Sequence, residues 1–114
     1  MLDFASNYRA LEALILLAKE VAPACKILLT VSPVPLNATF VQRDVVTSNV
    51  YSKACLRAAV EELYWKYDFI DYFPSYEMVV MSNPTLVWEP DHRHVKPEFV
   101  RRIMAAFVRH YVHG

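Results

Sequence analysis

The chain has 114 residues, 55% of them apolar and 13% aromatic. That is one domain at most, with enough apolar material for a hydrophobic core. Twelve Lys plus Arg balance twelve Asp plus Glu, so no basic field gathers phosphates and nucleic acid is not an expected partner.

The only glycine is Gly114, where average usage near 7% would supply about eight. No Walker loop, dinucleotide fingerprint or Gly-x-Ser-x-Gly elbow can therefore be built, because each needs glycine where backbone turns sharply or approaches a ligand. Apolar runs such as Ala13 to Ala18 and Ile27 to Leu29 fall far short of the roughly 20 residues that cross a bilayer. Asp3 and Arg9 interrupt the amino end, so it does not read as a signal peptide. A soluble chain without membrane contact is expected. Cys25 and Cys55 stand alone, and two free thiols fit a cytoplasmic compartment. No motif calls for a cofactor.

The spacing predicts a first helix over about Phe4 to Val21, with Phe4, Tyr8, Leu11, Leu14, Ile15, Ala18 and Ala22 inward and Arg9, Glu12 and Lys19 on another face. Pro23 ends it. Lys26 to Val31 is a continuous β-rich run closed by Pro33 and Pro35, which suits a strand buried on both faces of a parallel sheet, and Ser32 sits at its carboxyl end. A polar connection through Asn37, Thr39, Gln42, Arg43 and Asp44 follows.

A second helix is predicted from about Val50 to Tyr67, capped by Ser48 or Asn49, with Leu56, Ala59, Val60, Leu63, Tyr64 and Tyr67 inward. Phe69 to Phe73 reads as a second strand stopped by Pro74. Ser75 to Met81 is open between a short helix and an extension, and Asn83-Pro84 marks a turn. The last helix starts near Pro97, with Val100, Ile103, Met104, Phe107, Val108 and Tyr111 as its buried stripe. Met78, Met81 and Met104 read as core filler.

Helix, strand, helix, strand, loop and helix make the alternation of an α/β protein with a parallel sheet. Two strands alone leave sheet edges and apolar helix faces uncovered, so either further strands exist or a partner covers the edge. In open α/β sheets the ligand crevice lies beyond the carboxyl ends of the strands, where Ser32 to Pro35, Phe73 to Tyr76 and the loop from Asp91 to His94 could meet.

That loop belongs to Trp88-Glu89-Pro90-Asp91-His92-Arg93-His94-Val95-Lys96-Pro97, which sets an aspartate three residues before a histidine. A carboxylate that holds an imidazole's Nδ1 proton fixes the tautomer and steadies the imidazolium, turning the ring into a usable general base. His94 is thus the candidate base and Asp91 its orienter. The alternatives are an aspartate that merely caps the last helix, or a metal site gathered from Glu89, Asp91, His92 and His94. Neither cysteine is near and no second His pair at helical spacing adjoins these residues, so no metal ligand is assigned.

Four strings in order carry a resemblance: Lys26-Ile27-Leu28-Leu29-Thr30-Val31-Ser32-Pro33-Val34, Ser48-Asn49-Val50-Tyr51-Ser52-Lys53-Ala54-Cys55-Leu56-Arg57, Asp71-Tyr72-Phe73-Pro74-Ser75-Tyr76-Glu77, and Asp91-His92-Arg93-His94-Val95. Together they resemble the GSCFA family, a branch of the SGNH/GDSL-like hydrolases, over nearly the whole chain. Within them, Thr-Val-Ser-Pro-Val, Ser-Lys-x-x-Leu-Arg and Tyr-Phe-Pro-Ser-Tyr-Glu are specific to that family, while Asp-x-x-His is shared across the superfamily.

The resemblance implies a flavodoxin-like three-layer α/β/α sandwich that cleaves esters by Ser-His-Asp chemistry. Its aspartate and histidine fall on Asp91 and His94. Its serine lies in an amino-terminal Gly-Ser-Cys-Phe-Ala motif that this chain lacks, as it lacks the superfamily's glycine and asparagine oxyanion blocks. Residues 1–114 are accordingly expected to be the carboxyl-terminal portion of one such domain, with the front half missing.

Six serines remain. Ser32 is the best placed, although it precedes a proline and lacks the glycines of an exposed elbow. Ser52 and Lys53 resemble a Ser-Lys pair, but adjacent helix residues point about 100° apart. Ser75 shapes the turn after Pro74. Ser32, Asn49 and Arg93 are the expected substrate contacts. His110 and His113 sit where cationic side chains favour a helix carboxyl end.

The leading expectation is the base-bearing part of an ester hydrolase acting on a small-molecule or carbohydrate acyl ester, partnered by the missing amino-terminal half. The runner-up is a non-enzymatic α/β interaction module that binds through open sheet edges, or an inactive gene fragment.

Overall fold

A computed structural model describes residues 3–33, 45–91 and 94–112, with backbone alone for 45–49. The elements are α1 (Phe4–Val21), β1 (Ile27–Thr30), α2 (Val45–Lys66), β2 (Ile70–Phe73), α3 (Ser75–Val80), α4 (Pro84–Val87) and α5 (Pro97–Tyr111). The fold is mixed α/β, and β1 and β2 pair as a parallel two-stranded sheet. Packing divides the chain into two compact units, one running through Tyr72 and the other holding Ser32, Pro33 and the chain from Phe73 onward.

In the first unit, Asp3 caps α1 by accepting the Ser6 amide on Oδ1 at 2.8 Å, the bond that an N-cap makes to an otherwise unpaired donor. At the other end Pro23 cannot continue the helix, and Lys19 folds over the exit. Its ammonium donates to the carbonyls of Pro23 and Cys25 at 2.7 Å each and lies 4.5 Å from the centre of the Phe69 ring. Lys19 therefore ties the α1 to β1 connection to the residue before β2. The Ile27 amide then donates to the Phe69 carbonyl at 2.9 Å, at the start of the pairing.

The core of this unit joins Ile15 of α1, Leu63 of α2 and Ile70 of β2, with Tyr8, Leu11, Ile27, Leu29, Tyr64, Tyr67 and Phe69 packed around them. The predicted inner face of α2 is observed, since Ala59, Val60 and Leu63 are buried and Leu56, Tyr64 and Tyr67 half-buried. Beside it Glu12 accepts from Lys66 Nζ at 2.6 Å and from the Tyr67 hydroxyl at 2.7 Å. These bonds hold the Glu12 carboxyl below its ordinary range and push Lys66 and Tyr67 up.

Several sequence expectations need correction here. α2 starts at Val45, not near Val50, so Ser48 and Asn49 lie inside the helix and do not cap it. No glycine or proline falls between Pro35 and Pro74, and mid-helix Ser and Asn cost only several tenths of a kcal/mol each, so the helix extends through them. On α1 the inward face narrows to Tyr8, Leu11 and Ile15, while Phe4, Leu14, Ala18 and Ala22 are exposed. Apolar residues run most of the way round that helix, more than α2 and two strands can cover. For the same reason β1 is not buried on both faces: Ile27, Leu28 and Leu29 are half-buried and Thr30 is exposed.

In the second unit, α3 resolves the open reading of Ser75 to Met81 in favour of a short helix. The Asn83-Pro84 turn is the start of a one-turn helix, with Asn83 Oδ1 accepting from the Thr85 amide at 3.0 Å and the Thr85 hydroxyl at 2.8 Å. Pro97 takes the first position of α5, where its missing N–H costs nothing. The buried row of α5 is Phe99 and Ile103, continued by half-buried Phe107 and Tyr111, whose rings meet Phe73 edge-on at 5.5 and 5.8 Å between centroids. Val100, Met104 and Val108, predicted inward, are exposed. Both rows repeat every four residues, and the aromatic contacts of Phe73 select the first. Met81 is exposed as well, so of the three methionines read as core filler only Met78 is half-buried.

Candidate active site

After α4 the chain reverses direction in a tight hairpin. Trp88 and Val95 form an isolated antiparallel bridge, with the Glu89 amide donating to the His94 carbonyl at 2.9 Å and the Lys96 amide to the Val87 carbonyl at 2.6 Å. Those two bonds flank Trp88 and Val95, which makes them a non-hydrogen-bonded pair. Glu89 and His94 are the next pair toward the turn, on the opposite face.

Asp91 sits in the turn and grips His94 twice. Its Oδ1 accepts the His94 main-chain amide at 3.1 Å, and its Oδ2 lies 2.6 Å from His94 Nδ1. A carboxylate at that distance accepts, so Nδ1 carries the proton, and in the neutral ring Nε2 keeps its lone pair. Backbone and ring are fixed by one side chain, and the ring is left with a basic nitrogen. The His94 side chain is 70% exposed and that of Asp91 46%. The cap of α5 is Lys96, without a side-chain bond. Asp91 is therefore not the helix cap that its position suggests.

An imidazole held in this way can take a proton from a hydroxyl or water at Nε2, while the carboxylate steadies the imidazolium. Lys96 braces the same hairpin, its ammonium donating to the Thr85 carbonyl at 2.8 Å. Of the four residues weighed as a metal site, His92 lies outside the described residues. Among the described residues no group of three or more His, Cys, Asp or Glu could hold a metal ion.

Ser32 is exposed, two residues beyond the end of β1, and packs with the second unit, as do Asp91 and His94. Asn49 lies in α2 in the first unit, and only its backbone is described. Arg93 lies outside the described residues. Ser75 is the first residue of α3 and is buried, which withholds its hydroxyl from solvent. Ser52 and Lys53 are consecutive in α2 and half-buried, and burial pushes the Lys53 ammonium down. His110 is exposed at the end of α5. Cys25 and Cys55 are free thiols, half-buried.

Sequence reasoning missed a row along α2. The Arg57 guanidinium stacks 3.9 Å from the Tyr72 ring centroid and pairs with Glu61 at 2.9 Å, and Glu61 in turn accepts from the Trp65 indole. The signal was present, because Arg57, Glu61 and Trp65 follow one another at i,i+4 spacing, where helical side chains meet.

Among the described residues no helix is long and apolar enough to cross a membrane. No curated protein and no solved structure matches the chain. The family model described as GSCFA family matches residues 1–107. With the match covering nearly the whole chain, and Asp91 and His94 both inside it, the chain belongs to the GSCFA family.

Proposed function

We propose that this chain supplies the general base and its orienting carboxylate to an SGNH-type ester hydrolase. The observation that carries the reading is the double grip of Asp91 on His94, at 3.1 Å to the amide and 2.6 Å to Nδ1. A single carboxylate sets the ring's tautomer and also its place on the backbone, which is what a proton-transferring imidazole needs.

In the proposed reaction a serine hydroxyl attacks the acyl carbonyl carbon and its proton passes to Nε2 of His94. Asp91 stabilises the resulting imidazolium. Collapse of the tetrahedral intermediate expels the alcohol, which takes the proton back from Nε2, and water then repeats the sequence on the acyl-serine. The Gly-Ser-Cys-Phe-Ala motif does not occur in residues 1–114. The nucleophile is accordingly assigned to a segment bearing that motif, the amino-terminal half of the domain of which this chain forms the carboxyl-terminal part. Ser32, Asn49 and Arg93 are the proposed substrate contacts, and the substrate class is an acyl ester on a carbohydrate or related small molecule.

The test is hydrolysis of p-nitrophenyl acetate by the chain alone, by His94→Ala and Asp91→Asn, and by the chain mixed with a polypeptide carrying the motif-bearing half. Acyl transfer also needs a positioned nucleophile and oxyanion donors, and one lost donor alone costs about 10²- to 10³-fold. The expected result is no His94-dependent turnover by the chain alone and turnover on mixing that both substitutions abolish. Robust turnover by the chain alone, lost in Ser32→Ala, would make Ser32 the nucleophile and overturn the divided arrangement.

The runner-up, a non-enzymatic interaction module, is favoured by one observation. Leu14, Leu17 and Val21 form an exposed apolar row along α1, of a kind that marks interaction surfaces. Mixing that restores no activity, together with binding lost in Leu17→Glu, would select it.

A further inference from the structure

Where α2 ends and β2 begins, the first unit carries an open pocket of about 530 Å³ that uses none of the groups of the Asp91–His94 hairpin. Its volume falls within the range of small-molecule sites, roughly 300–1,000 Å³. It sits at the amino-terminal end of β2, whereas substrates of open α/β sheets bind beyond the carboxyl ends. A ligand here is thus a separate matter from ester cleavage.

Three features of the lining set its chemistry. Trp65 is 75% exposed yet not loose. Its indole donates to Glu61, which Arg57 holds from one turn earlier, and it meets the Tyr64 ring at 5.3 Å and 80°. An exposed indole fixed in this way presents an aromatic surface with little rotamer entropy left to lose on binding. The second feature is charge. Lys66, the one cation of the lining, is neutralised by Glu12 at 2.6 Å, which leaves the exposed carboxylates of Asp68 and Asp71. The third is the backbone, because the pocket lies at the carboxyl end of the 22-residue α2, the negative pole of the helix.

Helix end and carboxylates act in the same direction. They repel anions, and they favour a cation over a neutral polyol that would use the aromatic surface alone. A cation attracted to an aromatic face also gains from the ring quadrupole, most strongly on tryptophan. We infer that the pocket bounded by Tyr64, Trp65, Asp68 and Asp71 binds an organic ammonium ion, an amine whose alkyl groups rest on the Trp65 indole while its charge faces the two carboxylates.

The experiment uses the whole chain. Trp65 and Trp88 are its two tryptophans, so a Trp88→Phe background makes Trp65 fluorescence report the pocket alone. Choline and tetramethylammonium are titrated at constant ionic strength, with 3,3-dimethylbutan-1-ol as the neutral isostere and methyl glucoside as the polyol. Amide chemical shifts of residues 64–71 are followed in parallel. The expected result is saturable binding of both ammonium ions and of neither neutral compound. Binding should weaken by about two- to fivefold in Trp65→Ala, read by the amide shifts, and in Asp68→Asn/Asp71→Asn. Trp65, Asp68 and Asp71 are exposed and Trp88 is half-buried, and unchanged shifts elsewhere will verify that each variant keeps the fold. Equal binding of the neutral isostere, binding of methyl glucoside in place of the ammonium ions, or no saturable change with any of them would overturn the inference.

Discussion

Removing the Asp91 carboxylate should redistribute the proton on His94, and the size of the change follows from the geometry. Asp91 Oδ2 lies 2.6 Å from Nδ1, but the two side chains are 46% and 70% exposed. A hydrogen bond from a neutral ring to an exposed carboxylate is worth no more than an exposed ion pair, about 0.2–1 kcal/mol, screened by water and salt. The bond exists only in the tautomer that carries the proton on Nδ1, so Asp91→Ala should lower the ratio of Nδ1–H to Nε2–H by about 1.4- to 5-fold. Imidazole nitrogen shifts, recorded at alkaline pH with the ring neutral and assigned against His94→Gln, measure that ratio directly.

The second grip supplies an internal control. Asp91→Ala also frees the His94 amide from Oδ1 at 3.1 Å, so that amide should exchange faster with solvent while the Glu89 amide, bonded to the His94 carbonyl at 2.9 Å, keeps more of its protection. An Nδ1–H fraction that is the same with and without Asp91 would refute the claim that this carboxylate sets the tautomer. The general-base assignment would lose its support with it.

Two further outcomes test the packing of the first unit. Leu63 is fully buried between Ile15 and Ile70, so Leu63→Ala should cost about 2–5 kcal/mol in urea unfolding, and a loss under about 1 kcal/mol would displace the core from that cluster. Glu12 has its carboxyl held below the ordinary 4.5, chiefly by the Lys66 hydrogen bond and then by Tyr67. A carboxyl depressed in the folded state adds stability above its unfolded pKa and loses it as pH falls through the folded value. The melting temperature of Glu12→Gln should therefore lie below wild type at neutral pH and converge with it in acid, and parallel curves across the acid range would contradict the pairing.

How far the sequence foretold this fold depended on whether one signal or several competed at a position. Proline placed three boundaries well: α1 stops before Pro23, β2 before Pro74, and α5 begins at Pro97, because a residue without an N–H admits few alternatives. The start of α2 had no such marker, and Ser48-Asn49 looked like a cap when the helix ran straight through them. Burial failed where a helix had more than one apolar row. On α5, Phe99-Ile103-Phe107 and Val100-Met104-Val108 have the same spacing, and only the edge-on contact with Phe73 chooses between them. Asp91 and His94 were found because the spacing encodes a local contact. The Arg57–Glu61–Trp65 row is as local, yet was passed over because no chemistry drew attention to it.

The exposure of the catalytic candidates also bears on what a complete site must contain. Two unit charges 4 Å apart gain about 1 kcal/mol in bulk water and about 4 kcal/mol at the effective dielectric of about 20 that a pair covered by protein follows. A carboxylate that steadies an imidazolium at the open surface of this hairpin therefore does only part of what the same carboxylate does under cover. A segment that brings the serine and seats over the hairpin would exclude water and strengthen the Asp91–His94 contact in one step. The proposed division of labour thus makes a demand beyond the missing nucleophile. The added half must reduce the 70% exposure of His94, and slower exchange of the His94 amide on mixing is the sign that it does. A half that restored turnover and left His94 as exposed as before would show that the serine alone was wanting, and that cover contributes nothing to this base.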